Sequence, residues 1–117
     1  MRGSETDVAV VIPVLNGAHE IRSCIEGILG QSARPRQIIA IDSGSTDDTL
    51  GILSEYSAVD VVTIGAEAFN HGETRNLGAS LASAEFVLFT VQDAHAASDG
   101  KRHLYRHSFR RSQRDGR

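Results

Sequence analysis

The sequence predicts an α/β fold in which a parallel sheet alternates with helices. Three observations carry this prediction: short, apolar, largely β-branched runs recur along the chain; helix-spaced apolar stripes stand between them; and each run gives way to polar, turn-forming residues. Strands that alternate with helices pair in parallel through right-handed crossovers, and such sheets take ligands at the carboxyl ends of their strands.

The first run, Val8–Ile12, ends at Pro13 and suits a strand, β1, buried on both faces. Between Glu20 and Leu29, the residues Ile21, Cys24, Ile25 and Ile28 form one apolar stripe, which predicts helix α1 stopped by Gly30. Arg34-Pro35-Arg36 reads as a turn, followed by β2 over Gln37–Asp42. Ser43-Gly44-Ser45-Thr46 is a second turn whose hydroxyls suit helix capping. Asp47 and Asp48 then put negative charge at the start of α2, predicted over Asp47–Tyr56. Strand β3 is predicted over Val59–Ile64, α3 over Glu73–Ala82 with Leu77 and Leu81 on one side, and β4 over Phe86–Thr90. Residues 99–117 contain no apolar run able to supply another strand.

Charge divides the chain where the strands stop. Net charge is −3, but residues 1–93 hold 13 Asp and Glu against 5 Lys and Arg, whereas residues 94–117 hold 2 against 7. The expected organisation is therefore one domain over residues 7–95 and a basic, disordered tail over 96–117. In the tail, basic residues interleave with His103, Tyr105, His107 and Phe109, a pattern that also suits nucleic acid or an acidic membrane surface. The acidic body opposes such binding, so no nucleic-acid partner is expected. His103 and His107 have the i, i+4 spacing of a helical metal pair but lack a partner set, so only adventitious metal binding is expected there. The single cysteine, Cys24, lies in the α1 stripe and reads as a packed thiol. No apolar run reaches a membrane span and no leader pattern precedes β1, so a cytoplasmic protein is expected, with peripheral attachment to the inner membrane face left open.

Two nucleotide-binding signatures are missing: no Gly-x-Gly-x-x-Gly follows β1, and no Gly-Lys-Ser/Thr loop occurs. The strand ends carry instead Pro13-Val14-Leu15-Asn16, Asp42-Ser43-Gly44-Ser45-Thr46-Asp47, Phe69-Asn70-His71-Gly72-Glu73-Thr74-Arg75-Asn76 and Gln92-Asp93-Ala94. In a parallel sheet these four converge on one edge, which offers what a nucleoside diphosphate needs. Asp42 suits a base N–H, and the backbone of Pro13, Val14 and Leu15 suits the nucleoside. Arg75 suits phosphate oxygens through its planar fork. Asp93 suits a divalent cation, Mg²⁺ or Mn²⁺, that bridges the phosphates. His71, in the turn before α3, and Gln92 are candidates for the donor site.

These segments, in this order over residues 7–95, resemble the family 2 inverting glycosyltransferases. The resemblance implies a Rossmann-like sheet forming the N-terminal, nucleotide-binding half of a GT-A fold. It also implies a nucleotide-sugar donor and transfer with inversion to a saccharide or lipid-linked acceptor. Phe69-Asn70-His71-Gly72 running into Thr74-Arg75-Asn76, with Gln92-Asp93-Ala94, is most similar to rhamnosyltransferase-type members, which implies a dTDP-rhamnose-like donor, with a UDP-sugar as the alternative. Position by position, the resemblance implies that Pro13, Leu15 and Asp42 face the nucleoside, Arg75 approaches the diphosphate, and Asp93 is the metal-binding aspartate.

Four departures from the family pattern matter. Leu15 stands where many members carry an aromatic residue, Ser43 replaces the second Asp of Asp-Asp-Gly-Ser, and Gln92 replaces the first Asp of an Asp-x-Asp-type signature. The fourth is the catalytic base: members supply a carboxylate from a segment beyond this signature, and no later residue matches it. Asp99 and Asp115 are the only carboxylates after Asp93. The change after Ala94 suggests a truncation or a shifted reading frame, and with it the alternative of a non-catalytic fragment that at most binds nucleotide.

Overall fold

A computed structural model of the chain describes residues 5–65, 71–93 and 107–110. Strands β1 (Glu5–Val14), β2 (Arg34–Asp42), β3 (Val59–Thr63), β4 (Phe86–Phe89) and β5 (His107–Arg110) form one sheet in the order β3-β2-β1-β4-β5. The first four are mutually parallel and β5 runs antiparallel to β4. Helices α1 (Ile21–Leu29), α2 (Thr49–Leu53) and α3 (His71–Leu81) connect the parallel strands. The predicted parallel α/β sheet with alternating helices is thus the observed architecture.

The period of two along β1 and β2 divides the core into two layers. Val10, Ile12, Val14, Ile38 and Ala40 pack against Ile21, Cys24, Ile25 and Ile28 of α1 and Ile52 and Leu53 of α2. The alternate residues Ala9, Val11, Ile39 and Ile41, with Val87 and Phe89 of β4, pack on the other face with Ala82, Ala84 and Leu77. Helix α1 spans only nine residues, below the ~12–15 that an isolated helix needs, so its buried stripe holds it. Each fully buried isoleucine in it contributes about 1.5–3 kcal/mol.

Cys24 is fully buried in that stripe, and its Sγ lies 3.7 Å from the Val91 carbonyl oxygen. Burial, with the Asp93 charge adding to it, pushes the thiol up to about 12. The folded chain is therefore expected to give no adduct with iodoacetamide at pH 8, and full modification once guanidinium unfolds it. Mass spectrometry reads the difference.

Three expectations are corrected. Arg34-Pro35-Arg36 is not a turn: Arg34 and Pro35 pair with Glu5 and Thr6, and Thr6 Oγ1 donates to the Arg34 carbonyl at 3.1 Å. Proline is tolerated there because it stands at the start of the strand, and the ladder is irregular between Thr6 and Ala9. Helix α2 is shorter than predicted. Its end tightens where the Glu55 and Tyr56 N–H groups donate to the Ile52 and Leu53 carbonyls at 3.0 and 3.1 Å. Finally, the basic segment does supply a strand, β5, although only Phe109 in it is apolar; pairing with β4 satisfies the backbone whatever the side chains. His107 therefore starts a strand, not a helix. The rest of the expected tail lies outside the described residues.

Strand order sets where a ligand would lie. The chain leaves β1 toward α1 on one face and enters β4 from α3 on the other, so the β1/β4 boundary is the topological switch point. Crevices form at such points, beyond the carboxyl ends of the strands. The β1/β4 ladder ends at Val11 opposite Phe89, with the Thr90 N–H donating to the Val11 carbonyl at 3.1 Å. Beyond it the two chains are joined through side chains.

Candidate functional site

The loops after β1, β2 and β4 are laced into one edge. Pro13 and Val14 are the last two residues of β1, paired with Ile41 and Asp42, and the Val14 carbonyl accepts from the Ser43 N–H at 3.2 Å. Leu15, one residue further, is 47% exposed and offers its side chain to solvent at the crevice. Asn16 follows in the left-handed region, with φ of 49°, a conformation that asparagine tolerates better than most residues. Its Oδ1 accepts from the Thr46 and Asp47 N–H groups at 2.7 and 3.3 Å, and its own N–H donates to Ser45 Oγ at 2.8 Å. The Gly17 N–H donates to Thr49 Oγ1 at 2.8 Å and the Ala18 N–H to Asp47 Oδ2 at 3.1 Å.

Asp42, 1% exposed, organises the second loop. Its Oδ2 accepts from the Gly44 and Ser45 N–H groups, each at 3.0 Å, and its Oδ1 accepts from the Ser45 hydroxyl. A carboxylate has about four acceptor positions. Three are used by the loop. The hydroxyls expected to cap α2 do other work here: Ser45 ties Asp42 to Asn16, and Asp47 accepts from the Thr49 N–H at 3.0 Å and from the Thr49 hydroxyl. The Thr49 hydroxyl, followed by burial acting the other way, leaves the Asp47 carboxyl below its ordinary value.

The β4 loop supplies Gln92 and Asp93. Gln92 does not point its amide into open solvent. Its Oε1 accepts from the Leu15 N–H at 2.8 Å and its Nε2 donates to the Leu15 carbonyl at 3.1 Å. Asp93 is exposed in the turn beyond, and its carboxylate makes no hydrogen bond or ion pair among the described residues. No group of three metal-ligating side chains occurs among those residues. A single exposed carboxylate fits a hydrated Mg²⁺ or Mn²⁺ only where a diphosphate completes the shell, which is how such ions are commonly held.

Arg75 stands in the second turn of α3, exposed, with its guanidinium carbon 5.2 Å from the centroid of the Phe89 ring at the end of β4. That stacking holds the guanidinium at the carboxyl edge of β4, and no hydrogen bond among the described residues uses its N–H donors. No ion pair joins Arg75 to Asp93 among the described residues. His71 is the first residue of α3; its side chain, together with Phe69, Asn70 and Ala94, lies outside the described residues.

The structure therefore gathers Leu15, Asp42, Gln92 and Asp93 around the switch point and sets Arg75 beside it on the α3 face. Sequence reasoning missed the organising roles of Asn16 and Thr49. The Asn16-Gly17 pair, a common turn signal, could have flagged the first; nothing local announces the second.

With this geometry in place, the comparison with known proteins is specific. The sequence profile of Glycosyl transferase family 2 matches residues 9–107. The chain belongs to glycosyl transferase family 2. Among family 2 relatives, it is 34% identical over 88 residues to the O-antigen chain rhamnosyltransferase RfbN of Salmonella typhimurium, covering 74% of this chain and 28% of that protein. It is 39% identical over 87 residues to the O-antigen chain rhamnosyltransferase WbaN of Salmonella anatum, covering 73% and 27%. The chain thus spans under a third of the length of these relatives.

Solved structures agree on the fold. Glucosyl-3-phosphoglycerate synthase from Mycobacterium tuberculosis, crystallised with Mn²⁺, UDP and phosphoglyceric acid, superimposes with a TM-score of 0.62 at 27% identity, over 75% of this chain and 34% of that one. TarS 1-349 of S. aureus in complex with UDP-GlcNAc gives 0.64 at 24% identity, over 77% and 27%, and shares the fold. The family 2 chain thus has the sheet of a GT-A type fold. No helix among its described residues is long and apolar enough to cross a membrane.

Proposed function

We propose that this family 2 chain binds a nucleoside-diphospho-sugar donor at the β1/β4 crevice, for transfer of the sugar to a saccharide or lipid-linked acceptor with inversion. The observation that carries the reading is the convergence of a nearly saturated Asp42, an exposed Leu15 and an exposed Asp93 without a partner among the described residues on one switch-point edge. In this reading Leu15 and the ends of Pro13 and Val14 flank the nucleoside, and the last acceptor position of Asp42 takes a base N–H. Arg75 pairs with the diphosphate, and His71 lies on the donor side. Asp93 would hold Mg²⁺ or Mn²⁺, which supplies Lewis-acid stabilisation of the diphosphate leaving group.

The chain's own residues bind and orient. The acceptor hydroxyl attacks the anomeric carbon from the side opposite the diphosphate, and the hydroxyl proton needs a carboxylate base that none of Leu15, Asp42, Arg75 or Asp93 supplies. A dTDP-rhamnose-like donor is favoured by the likeness to O-antigen rhamnosyltransferases, and a UDP-sugar by the likeness to a UDP-binding synthase. The cytoplasmic face of the membrane is the place proposed for this work, and residues 7–95 are proposed as the donor-binding domain.

Calorimetric titration with dTDP and with UDP, each with and without Mn²⁺, tests the reading beside an assay of dTDP-rhamnose turnover. At least one nucleotide is expected to bind, and more tightly with Mn²⁺. Binding without turnover limits the chain to donor recognition, and absence of binding by both nucleotides rejects the site.

A further inference from the structure

Gln92 occupies a place where the family pattern has a carboxylate, yet its amide is engaged at both its oxygen and its nitrogen with the backbone of Leu15. This double hydrogen bond spans 77 residues of sequence and crosses the switch-point crevice between the β1 and β4 loops. It lies three to four residues beyond the last β1/β4 pair, Val11 opposite Phe89, and ties the two loops together where no backbone ladder joins them. The amide is also held from below: a Cβ on Gly17 would stand 2.7 Å from Gln92 Oε1 and 2.8 Å from its Cδ. Glycine at 17 is what lets the amide lie flat against the β1 loop.

We infer that Gln92 is a positioning residue that couples the nucleoside-binding loop at Leu15 to the cation-binding Asp93, a role that rests on the donor-site reading above. The chemistry selects an amide. Leu15 presents one donor and one acceptor, and only a side chain with both can meet them together. Glutamate would match the N–H but set a second anionic oxygen against the Leu15 carbonyl. Asparagine is one methylene too short to reach both. Because Asp93 is the next residue, holding Gln92 fixes where the carboxylate lies relative to Leu15 and Asp42. Ordering one loop therefore orders the other, and nucleotide and cation favour each other's binding.

Two measurements on the full chain separate this role from a direct ligand role. Amide hydrogen exchange reads the clasp without any ligand. The Leu15 N–H, on an exposed residue, is expected to be protected in the wild type and to lose that protection in Gln92→Glu and Gln92→Ala. Calorimetry reads the coupling. The gain in dTDP or UDP affinity on adding Mn²⁺ is expected to fall about tenfold in Gln92→Ala, although Asp93 is untouched, and to fall in Gln92→Glu despite its added carboxylate. Unchanged Leu15 protection in both variants overturns the inference. So does a larger Mn²⁺ gain in Gln92→Glu, which would make position 92 a cation ligand. If the wild type binds neither nucleotide, the donor-site reading has failed and with it the coupling; the Leu15 exchange then decides the clasp alone.

Discussion

Asp42→Ala is expected to lower the stability of the chain by about 2–4 kcal/mol, whereas Asp42→Asn costs less than about 1 kcal/mol. Alanine removes the acceptor for the Gly44 N–H, the Ser45 N–H and the Ser45 hydroxyl at a position only 1% exposed. Each donor left without a partner costs roughly 1–3 kcal/mol when buried, less where water reaches it, as at exposed Gly44. Asparagine keeps an oxygen for the two backbone donors and turns its amide N–H₂ toward Ser45 Oγ, whose lone pairs can accept it. The loop then survives, but the remaining acceptor position for a base N–H is replaced by a donor. Urea unfolding of both variants, with dTDP titration of Asp42→Asn, separates the two roles. Asparagine is expected to retain the fold and weaken nucleotide binding about tenfold, worth about 1.4 kcal/mol. Equal loss of stability in both variants would show that the negative charge, not the acceptor geometry, holds the turn.

Gly78→Ala is expected to destabilise the chain by about 1–2 kcal/mol, against the usual benefit of alanine in a helix. A Cβ at 78 would stand 2.5 Å from Val11 Cγ1, 3.0 Å from Cγ2 and 3.2 Å from Cβ. Valine is stiff at χ1 and Val11 is fully buried, so the strain falls on the helix or the sheet. Overpacking of this kind costs about 1–3 kcal/mol, while exchanging helical glycine for alanine returns roughly 1 kcal/mol. The clash wins. Lifting α3 also moves Arg75, three residues earlier, away from the Phe89 ring. Thermal unfolding should fall by about 4–8 °C per kcal/mol for a domain of this size. Adding Val11→Ala is expected to restore part of the loss, a coupling that two independent sites would not display.

Much of this was legible in the sequence because it is local. The isoleucine stripe of α1, the double-faced apolar runs of β1 and β2 and the polar strand ends are all read within about ten residues. What escaped depends on pairing across the chain. Arg34 and Pro35 look like a turn until Glu5 and Thr6 lie beside them. The β5 strand carries one apolar residue and owes its existence to the open edge of β4. In the site, the positions of Asp42 and Asp93 at strand ends were readable. The lacing was not: Asn16 reaches Thr46 and Asp47, Gly17 reaches Thr49, and Gln92 reaches Leu15, each between distant segments. Gln92 reads as a donor-side candidate in the sequence, and its hydrogen bonds to the Leu15 backbone add a tie that no local pattern announces.

The same 77-residue separation has a consequence during synthesis on the ribosome. β1 is the central strand of the sheet and the first to emerge, but one of its two flanks stays bare until Phe86–Phe89 has been translated. Up to that moment the nascent chain presents the Val8–Val11 peptide groups as an unpaired edge on its most apolar strand, open to association with other nascent chains. Docking of β4 closes that edge and, within four more residues, brings Asp93 to the rim. Closure of the open edge of β1 and arrival of Asp93 at the rim therefore follow one another within a few residues of synthesis.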